Sequence, residues 1–484
     1  MSLLSDRQWQ GKIFVNTWVD GADSRDIVEP ATGDVLGSLG LGSPDDMLRA
    51  AREAARAQSA WAARPPQDRA EVLRRAGDLW REHADDVASW LVREAGSIPA
   101  KAQLETESAA QLCYEAAALA THPRGEVLAS AEPRWSVARR TPVGVVSVIA
   151  PFNFPLILAI RSVAPALALG NAVLLKPDPR TGVSGGVALL RILQAAGLPD
   201  GVLQLVPGDA RTGEAAVTAP EVRVVAFTGS TEAGRAVGAL AGQHLKRAHL
   251  ELGGNNALIV LPGADVPAAA SAGAFGSFMH QGQICMTTGR HLVHESLHDA
   301  YVEALAEKAG HLPVGNPATE QVALGPIIDH RQLGRIDRLV QDTLVQGARL
   351  AAGGTYEGLF YRPTVLSGVK PGMPAYAQEV FGPVAPVIPF ASAEEAIALA
   401  RDCEYGLSLG ILGDIAQAMR IADAVPSGIV HINEQTVADE AVIPFGGVGA
   451  SGNGSRVGGA TANADAFTET QWLTIRGDIA PYPF

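Results

Sequence analysis

From Thr141 onward the chain alternates short apolar runs of strand length with amphipathic stretches of helix length, and after Gly253 the alternation begins again. Strands joined by helical crossovers pair in parallel and bury both faces of their sheet. The pattern therefore predicts an α/β chain with two successive doubly wound units. Strands are expected at 143–150, 172–175, 202–206, 222–227 and 257–261, with helices near 156–169, 182–196, 212–218 and 231–241. The second unit reads as helix 267–279, strand 291–293, helix 297–308, strand 385–390, helix 393–400 and strand 407–412. Ahead of both, residues 43–121 read as helices, the first opened by Ser43-Pro44-Asp45-Asp46. Two segments fit neither unit, 132–140 and 467–484. As isolated exposed edges they are expected to pair with another subunit.

A length of 484 residues is too great for one simple core. With 47% hydrophobic and 18% charged residues the chain is a packed globular one. Its 38 Lys and Arg against 51 Asp and Glu give a net charge of −13, and no basic run appears, so nucleic acid and anionic membranes are not expected partners. Cys113, Cys285 and Cys403 form neither a disulfide framework nor a CxxC site, which fits a reducing cytosol. Residues 1–11 are polar and lack a signal-peptide core, so a cytoplasmic location is expected. The uncharged stretch 142–160 imitates a membrane span, but Pro142, Pro151, Asn153 and Pro155 divide it into a strand, a turn and a buried helix.

Cys285 lies in a polar loop between Gly282 and Gly289, after a helix-like run, where backbone amides can approach a reacting atom. Upstream, Glu251 closes an apolar strand and is followed by Gly253 and Gly254. A thiol nucleophile needs a base for proton removal or water activation, so the two residues together suggest covalent catalysis.

Other motifs admit two readings each. Phe227-Thr228-Gly229-Ser230-Thr231-Glu232-Ala233-Gly234 runs from a strand into a helix whose amides could hold phosphate, yet it matches neither G-x-G-x-x-G nor a Walker loop. Taken alone, the motif is better explained by an ordinary capped turn. Lys176 ends an apolar strand, either solvated or reaching an adenosine ribose or phosphate. Asn153, between Phe152 and Phe154, is a turn former or a neutral donor able to hold an oxyanion. His294-Glu295-Ser296-Leu297-His298 matches H-E-x-x-H, which needs both histidines on one continuous helix. Ser296 to Asp299 resembles a capping box that would leave His294 outside the helix, so no metal is expected.

Together the motifs resemble the NAD(P)-dependent aldehyde dehydrogenase superfamily over almost the whole chain, from about Phe14 to Leu473. The resemblance rests on Pro151 to Pro155, Lys176-Pro177, Phe227 to Gly234, Glu251 to Gly254, Gly282 to Cys285, Glu379-Val380-Phe381-Gly382-Pro383 and Pro444-Phe445-Gly446-Gly447. His431 to Glu440, running into Pro444, looks most like the benzaldehyde/vanillin branch. The resemblance implies a Rossmann-type cofactor domain (1–122 and 141–252), an α/β catalytic domain (253–446) and a small β oligomerisation arm (123–140 and 464–484), assembled as a homodimer or homotetramer.

It also implies roles. Cys285 would attack an aldehyde, Asn153 and the Cys285 N–H would hold the oxyanion, and Glu251 would activate water. NAD or NADP would lie against Ala150, Pro151, Lys176, Gly208, Gly229, Ser230, Leu252, Glu379 and Phe381. An aromatic aldehyde would meet Leu158, Arg161, Met279, Ile284, Met286, Val437 and Phe445. Arg161, a cation on an apolar run, is either a structural ion pair or a donor to a ring hydroxyl or carboxylate. An aliphatic aldehyde or succinic semialdehyde is the alternative substrate. Where NAD-preferring relatives often carry a glutamate three residues after the lysine, this chain has Pro179 and then Arg180, so NADP is expected to be at least tolerated, with Arg180 able to pair with a 2′-phosphate. Asn255 stands where lysine is common, with no consequence attached to it.

Overall fold

The computed structural model describes residues 3–4 and 7–484. The expectation for 1–11 falls partly on residues 1, 2, 5 and 6, which lie outside the described residues. Both predicted parallel units form. The first is a seven-stranded sheet in the order Arg247–Glu251, Val222–Thr228, Val145–Ile149, Ala172–Lys176, Leu203–Leu205, Lys12–Val15, Thr17–Asp20. Its first five strands are parallel and the last two antiparallel. Strand order reverses between Val145–Ile149 and Val222–Thr228, and open α/β sheets bind ligands outside such a switch point.

The second seven-stranded sheet runs Arg349–Ala352, Thr364–Ser367, Val384–Phe390, Thr288–His294, Asn256–Val260, Ser408–Leu412, Ile429–Ile432, parallel except for the first pair. Its strand Asn256–Val260 follows the first sheet's Arg247–Glu251 strand after only four residues, Leu252 to Asn255. The linker between the sheets is thus the Glu251 glycine turn itself.

Residues 43–121 become four helices, Pro44–Ala63, Pro66–Glu82, Ala84–Ala95 and Pro99–Ala120. Ser43 caps the first as expected, its hydroxyl accepting from the Asp46 N–H while Asp46 reaches back to the Ser43 N–H. The span-like stretch resolves into the Val145–Ile149 strand, a turn and the Pro155–Ala168 helix, buried at every residue but Leu158. Among the described residues no helix is long and apolar enough to cross a membrane.

Two expectations need correction. The segments 132–140 and 467–484 are not isolated: Trp135–Pro142 pairs along its whole length with Thr468–Ile475, and Gly125–Val127 adds a third strand. They lie over 300 residues apart, so local periodicity could not show that each supplies the other's hydrogen bonds. The second correction is that His294, not Ser296, caps the Glu295–His311 helix, its ring nitrogen accepting from the Ser296 N–H. His298 lies inside that helix and contacts Asp299. Among the described residues no cluster of His, Cys, Asp and Glu is arranged to hold a metal ion.

Candidate active site

The two glycines after Glu251 are dictated by close approach. A Cβ on Gly253 would run into the Glu379 carboxylate, and one on Gly254 would strike the carbonyl oxygen of Cys285. The turn therefore brings three candidate residues together: Glu251 ends its strand, Glu379 accepts the Gly254 N–H at 2.9 Å, and the Cys285 backbone lies against Gly254. Next in the chain, the Asn256 carboxamide donates to the carbonyls of Cys285 and Thr287, both at 2.8 Å.

The approach to Cys285 is held in unusual backbone conformations. His280 and Gln281 have φ of 47° and 55°, a region that costs non-glycine residues about 1–3 kcal/mol and persists only where surroundings enforce it. The Gln281 amide does so by donating to the Gly96 and Pro326 carbonyls at 2.9 Å each, and Gln283 accepts the Ile328 N–H at 3.1 Å.

Cys285 is half-buried, and burial pushes its thiol up to about 12, reinforced by Glu379, Glu251 and Asp439 and opposed by Arg161. Glu251 is buried with neither oxygen in a well-formed hydrogen bond. Burial lifts it to about 8, against the pull of Arg456, Arg161 and the Gly447 backbone. A carboxylate in that condition is a proton acceptor near neutral pH. Burial likewise raises Glu379 to about 7, with the Gly254 N–H and Arg335 opposing.

Met279, Ile284, Met286, Val437 and Phe445 gather with Cys285 and Phe154 in one apolar cluster, so five of the expected pocket residues meet around the thiol. Leu158 and Arg161 line a small cavity with Glu251 and Phe445. Arg161 realises the ion-pair reading, joined to Asp439, and its guanidinium also lies 4.7 Å over the Phe445 ring. Its Nε and Nη1 remain buried without partners, so donors are left for a ligand as well. Asp439 and the apolar Phe154, Leu407 and Ile443 were not foreseen as neighbours of this site; only three-dimensional packing reveals them.

The cofactor candidates of the first unit lie at and after the ends of its parallel strands, on both sides of the switch point. The Ala150 N–H bonds to the Lys176 carbonyl at 3.1 Å, and the Gly229 N–H to the Glu251 carbonyl at 3.0 Å. Pro151 continues the same strand end. Gly208 lies where a Cβ would crowd Thr212, and Leu252 packs where a Cβ on Gly234 would sit. The Lys176 side chain is buried beside Gly213, and burial lowers its pKa despite Asp178 and Asp209. Ser230 caps the Thr231–Gln243 helix, accepting from the Ala233 N–H at 3.3 Å, so the capped-turn reading holds for its hydroxyl. Phe381 sits at φ 54° with its ring 6.0 Å from Phe152. The His330–Val345 helix, not anticipated from sequence, fixes this loop: Arg335 donates to the Glu379 and Val380 carbonyls and Gln332 to that of Phe381.

Arg180 does not lie as expected. It bonds to Asp178 through Nε and Nη2 at 3.0 and 2.7 Å and to Asp329 at 2.7 Å, with its guanidinium 4.2 Å over Phe152. Two acidic residues, one 149 positions away, compete for it, so it is not a free partner for a 2′-phosphate.

Two α/β units joined at a turn that gathers a thiol, a carboxylate raised by burial and a ligand-type switch point form an α/β enzyme scaffold. Residues 18–473 match the sequence profile of the Aldehyde dehydrogenase family, and the chain belongs to that family. It is 63% identical to a vanillin dehydrogenase of Amycolatopsis sp., covering 100% of both chains. It is 47% identical to the benzaldehyde dehydrogenase [NAD(+)] of Pseudomonas putida, covering 98% of each. Among solved structures it matches a salicylaldehyde dehydrogenase from Pseudomonas putida G7, complexed with salicylaldehyde, with a TM-score of 0.94 and 36% identity over 98% of this chain and 99% of that one.

Proposed function

We propose that this aldehyde dehydrogenase oxidises aromatic aldehydes of the benzaldehyde type to carboxylic acids, with Cys285 as nucleophile. The observation that carries this reading is the apolar cluster around Cys285, with the Phe445 ring and its Arg161 cation at the side where Glu251 lies. The relatives named for vanillin, benzaldehyde and salicylaldehyde support it. A flat ring suits an apolar lining of Ile284, Met286 and Phe445, and the unpartnered Arg161 donors suit a ring hydroxyl.

In this reading the Cys285 thiol gives up its proton to water as its sulfur adds to the carbonyl carbon, and the Asn153 carboxamide and Cys285 N–H hold the resulting oxyanion. A dinucleotide held by Lys176, the Ser230 helix start and Glu379 would supply the hydride acceptor needed to oxidise the Cys285 adduct to a thioester. Glu251 then takes a proton from water, which attacks the thioester and frees the acid and the thiol. The residues fit such a cofactor: the exposed helix start at Ser230 adjoins the switch point, and the Glu379 carboxylate has one oxygen beyond its Gly254 bond for a ribose hydroxyl. NAD+ is the proposed cofactor, supported by the name of the Pseudomonas putida relative, with NADP+ tolerated because Pro179 carries no carboxylate to repel a 2′-phosphate.

Residues 123–140 and 464–484 serve in this reading as the oligomerisation arm of a homodimer or homotetramer, beside a cofactor domain (1–122 and 141–252) and a catalytic domain (253–446). Exposed Trp135, Trp472 and Ile475 on the three-stranded sheet support that role. A cytoplasmic enzyme accords with three free cysteines.

The test is a substrate panel followed by reduced-nicotinamide absorbance with each cofactor: benzaldehyde, vanillin and salicylaldehyde against hexanal and succinic semialdehyde. The aromatic aldehydes should lead in kcat/KM. A lead of about tenfold for the straight-chain substrates, about 1.4 kcal/mol in transition-state binding, would reverse the assignment.

A further inference from the structure

Asn153 is buried, and among the described residues its hydrogen bonding runs through the backbone carbonyl. No hydrogen bond among the described residues engages its carboxamide, which leaves that group for a ligand and leaves its placement to the chain on either side. That chain begins the Pro155–Ala168 helix, whose N-cap residue is Phe154, unable to cap, and whose first residue is proline. The next two amides, of Leu156 and Ile157, therefore need an acceptor from elsewhere. They find it in Glu105, on the Pro99–Ala120 helix, whose Oε2 accepts both at 3.2 and 3.3 Å. A carboxylate at a helix N-terminus is favourable in itself.

One turn earlier on the same helix, Lys101 pairs with Glu105, and its ammonium also donates to the Asn153 carbonyl at 2.8 Å. Both side chains are fully buried. The Lys101 ammonium further sits 4.2 Å over the Phe154 ring, whose centroid lies 5.5 Å from that of His280, the strained residue leading to Cys285. A buried ion pair of this kind commonly adds little net stability over apolar side chains of similar size. Here it contributes placement, since Lys101 and Glu105 between them bind the backbone on both sides of Phe154.

We propose that Lys101 and Glu105 are positioning residues for the oxyanion donor: the buried pair fixes the 153–157 backbone and thereby aims the Asn153 carboxamide at the carbonyl oxygen of the aldehyde bound to Cys285. This rests on the reading of Asn153 as that donor.

The experiment replaces the pair by apolar side chains, Lys101→Met/Glu105→Met, alone and combined with Asn153→Ala. First-turnover NADH formation, aldehyde KM, NAD+ affinity and thermal melting are followed in the full-length enzyme. The pair variant should lose about 10- to 100-fold in first-turnover rate, with KM and NAD+ affinity within about threefold and melting retained. Asn153→Ala alone should lose about 100-fold or more, and adding the pair substitution should cost nothing further, because both act through one amide. An undiminished rate in the folded pair variant overturns the proposal, as does a loss that multiplies with that of Asn153→Ala. If Asn153→Ala itself keeps the full rate, the oxyanion reading fails, which is a separate result. Should the apolar pair not fold, Glu105→Gln, which keeps acceptor and volume while removing the charge that holds Lys101, is judged by the same rate and the same combination.

Discussion

Gly254 and Cys285 are in backbone contact: the glycine leaves open the space that the cysteine carbonyl oxygen would otherwise share with a Cβ. The same carbonyl accepts from the Asn256 amide, so the loop carrying the thiol is registered against the start of the second sheet's Asn256–Val260 strand. Gly254→Ala should displace the Cys285 backbone by a fraction of an ångström or more. A misplacement of about 1 Å near a reacting group costs about 100-fold in rate. The expected outcome is a drop of about 10- to 100-fold in kcat with NAD+ affinity retained, read by steady-state kinetics alongside cofactor titration. Wild-type kcat in Gly254→Ala would show that the contact does not set the thiol's position.

Glu251, raised to about 8 by burial, predicts how the release step varies with pH. Its basic form accumulates as pH rises through that value, so thioester hydrolysis should climb from pH 6 to 9 and level off. Glu251→Gln should keep the first turnover of NADH while slowing later ones by about 100-fold or more, with that pH limb gone. Stability should move the opposite way. A carboxyl whose folded pKa lies above its unfolded value binds more protons when folded, so its stabilising contribution is present below the unfolded pKa and is lost as pH rises through about 8. Glu251→Gln should thus melt higher than the parent at pH 9 and near it at pH 5. Calorimetry giving equal differences at both values would contradict the buried-carboxyl account.

What the sequence made legible was what repeats locally. Strand-length apolar runs located most of both parallel sheets, and the Glu251 and Cys285 loops stood out because glycine and polar residues interrupt those runs. Relationships across the chain did not show. Lys101 and Glu105 look from sequence like an ordinary i,i+4 pair on a solvated helix face, and only packing puts them in the core. The His330–Val345 helix has visible apolar spacing at Leu333, Ile336 and Val340, yet nothing in it says that Arg335 will hold the Glu379 carbonyl. Gly452 pairs with Glu251 from two hundred residues away, closing the turn with a segment that sequence left unassigned. Arg180 misled partly for the same reason, one of its two carboxylate partners, Asp329, being remote.

Cys285 differs from Cys113 by position more than by ionisation. Cys113 is also raised to about 12, by complete burial against Trp80 in the helical layer. Cys285→Ala should abolish aldehyde oxidation, and Cys113→Ala should cost only stability, about 1 kcal/mol for the missing sulfur in a packed core. Cys403→Ala should leave both nearly unchanged, since its thiol has only a long contact, 3.9 Å, to the Asn255 carbonyl. Iodoacetamide inactivation protected by an aromatic aldehyde, and absent only in Cys285→Ala, checks the assignment.

Arg161 predicts substrate discrimination. With Asp439 taking one side of its guanidinium and the Phe445 ring its face, Nε and Nη1 are the donors left to a ligand. Arg161→Met should weaken kcat/KM for hydroxylated aldehydes relative to benzaldehyde by about tenfold, the worth of one hydrogen bond to a charged group. It should also raise the pH at which deacylation levels off, because Arg161 is among the charges holding Glu251 down. An unchanged ratio of vanillin to benzaldehyde kcat/KM would assign Arg161 to its ion pair alone.

Cofactor choice is expected to turn on Pro179 rather than Arg180. Because Asp178 and Asp329 occupy Arg180, Arg180→Ala should leave the NADP+/NAD+ ratio of kcat/KM within about threefold while lowering the melting temperature, as expected when a half-buried cation leaves two carboxylates unpaired. Pro179→Glu should instead place a carboxylate three residues beyond Lys176, repel a 2′-phosphate and lower that ratio by about tenfold, equivalent to about 1.4 kcal/mol. Initial rates over a range of each cofactor separate the two substitutions. If Arg180→Ala alone abolished NADP+ turnover, the arginine would have to leave its carboxylates when the cofactor binds, and the clamp seen between Asp178 and Asp329 would describe only the free enzyme.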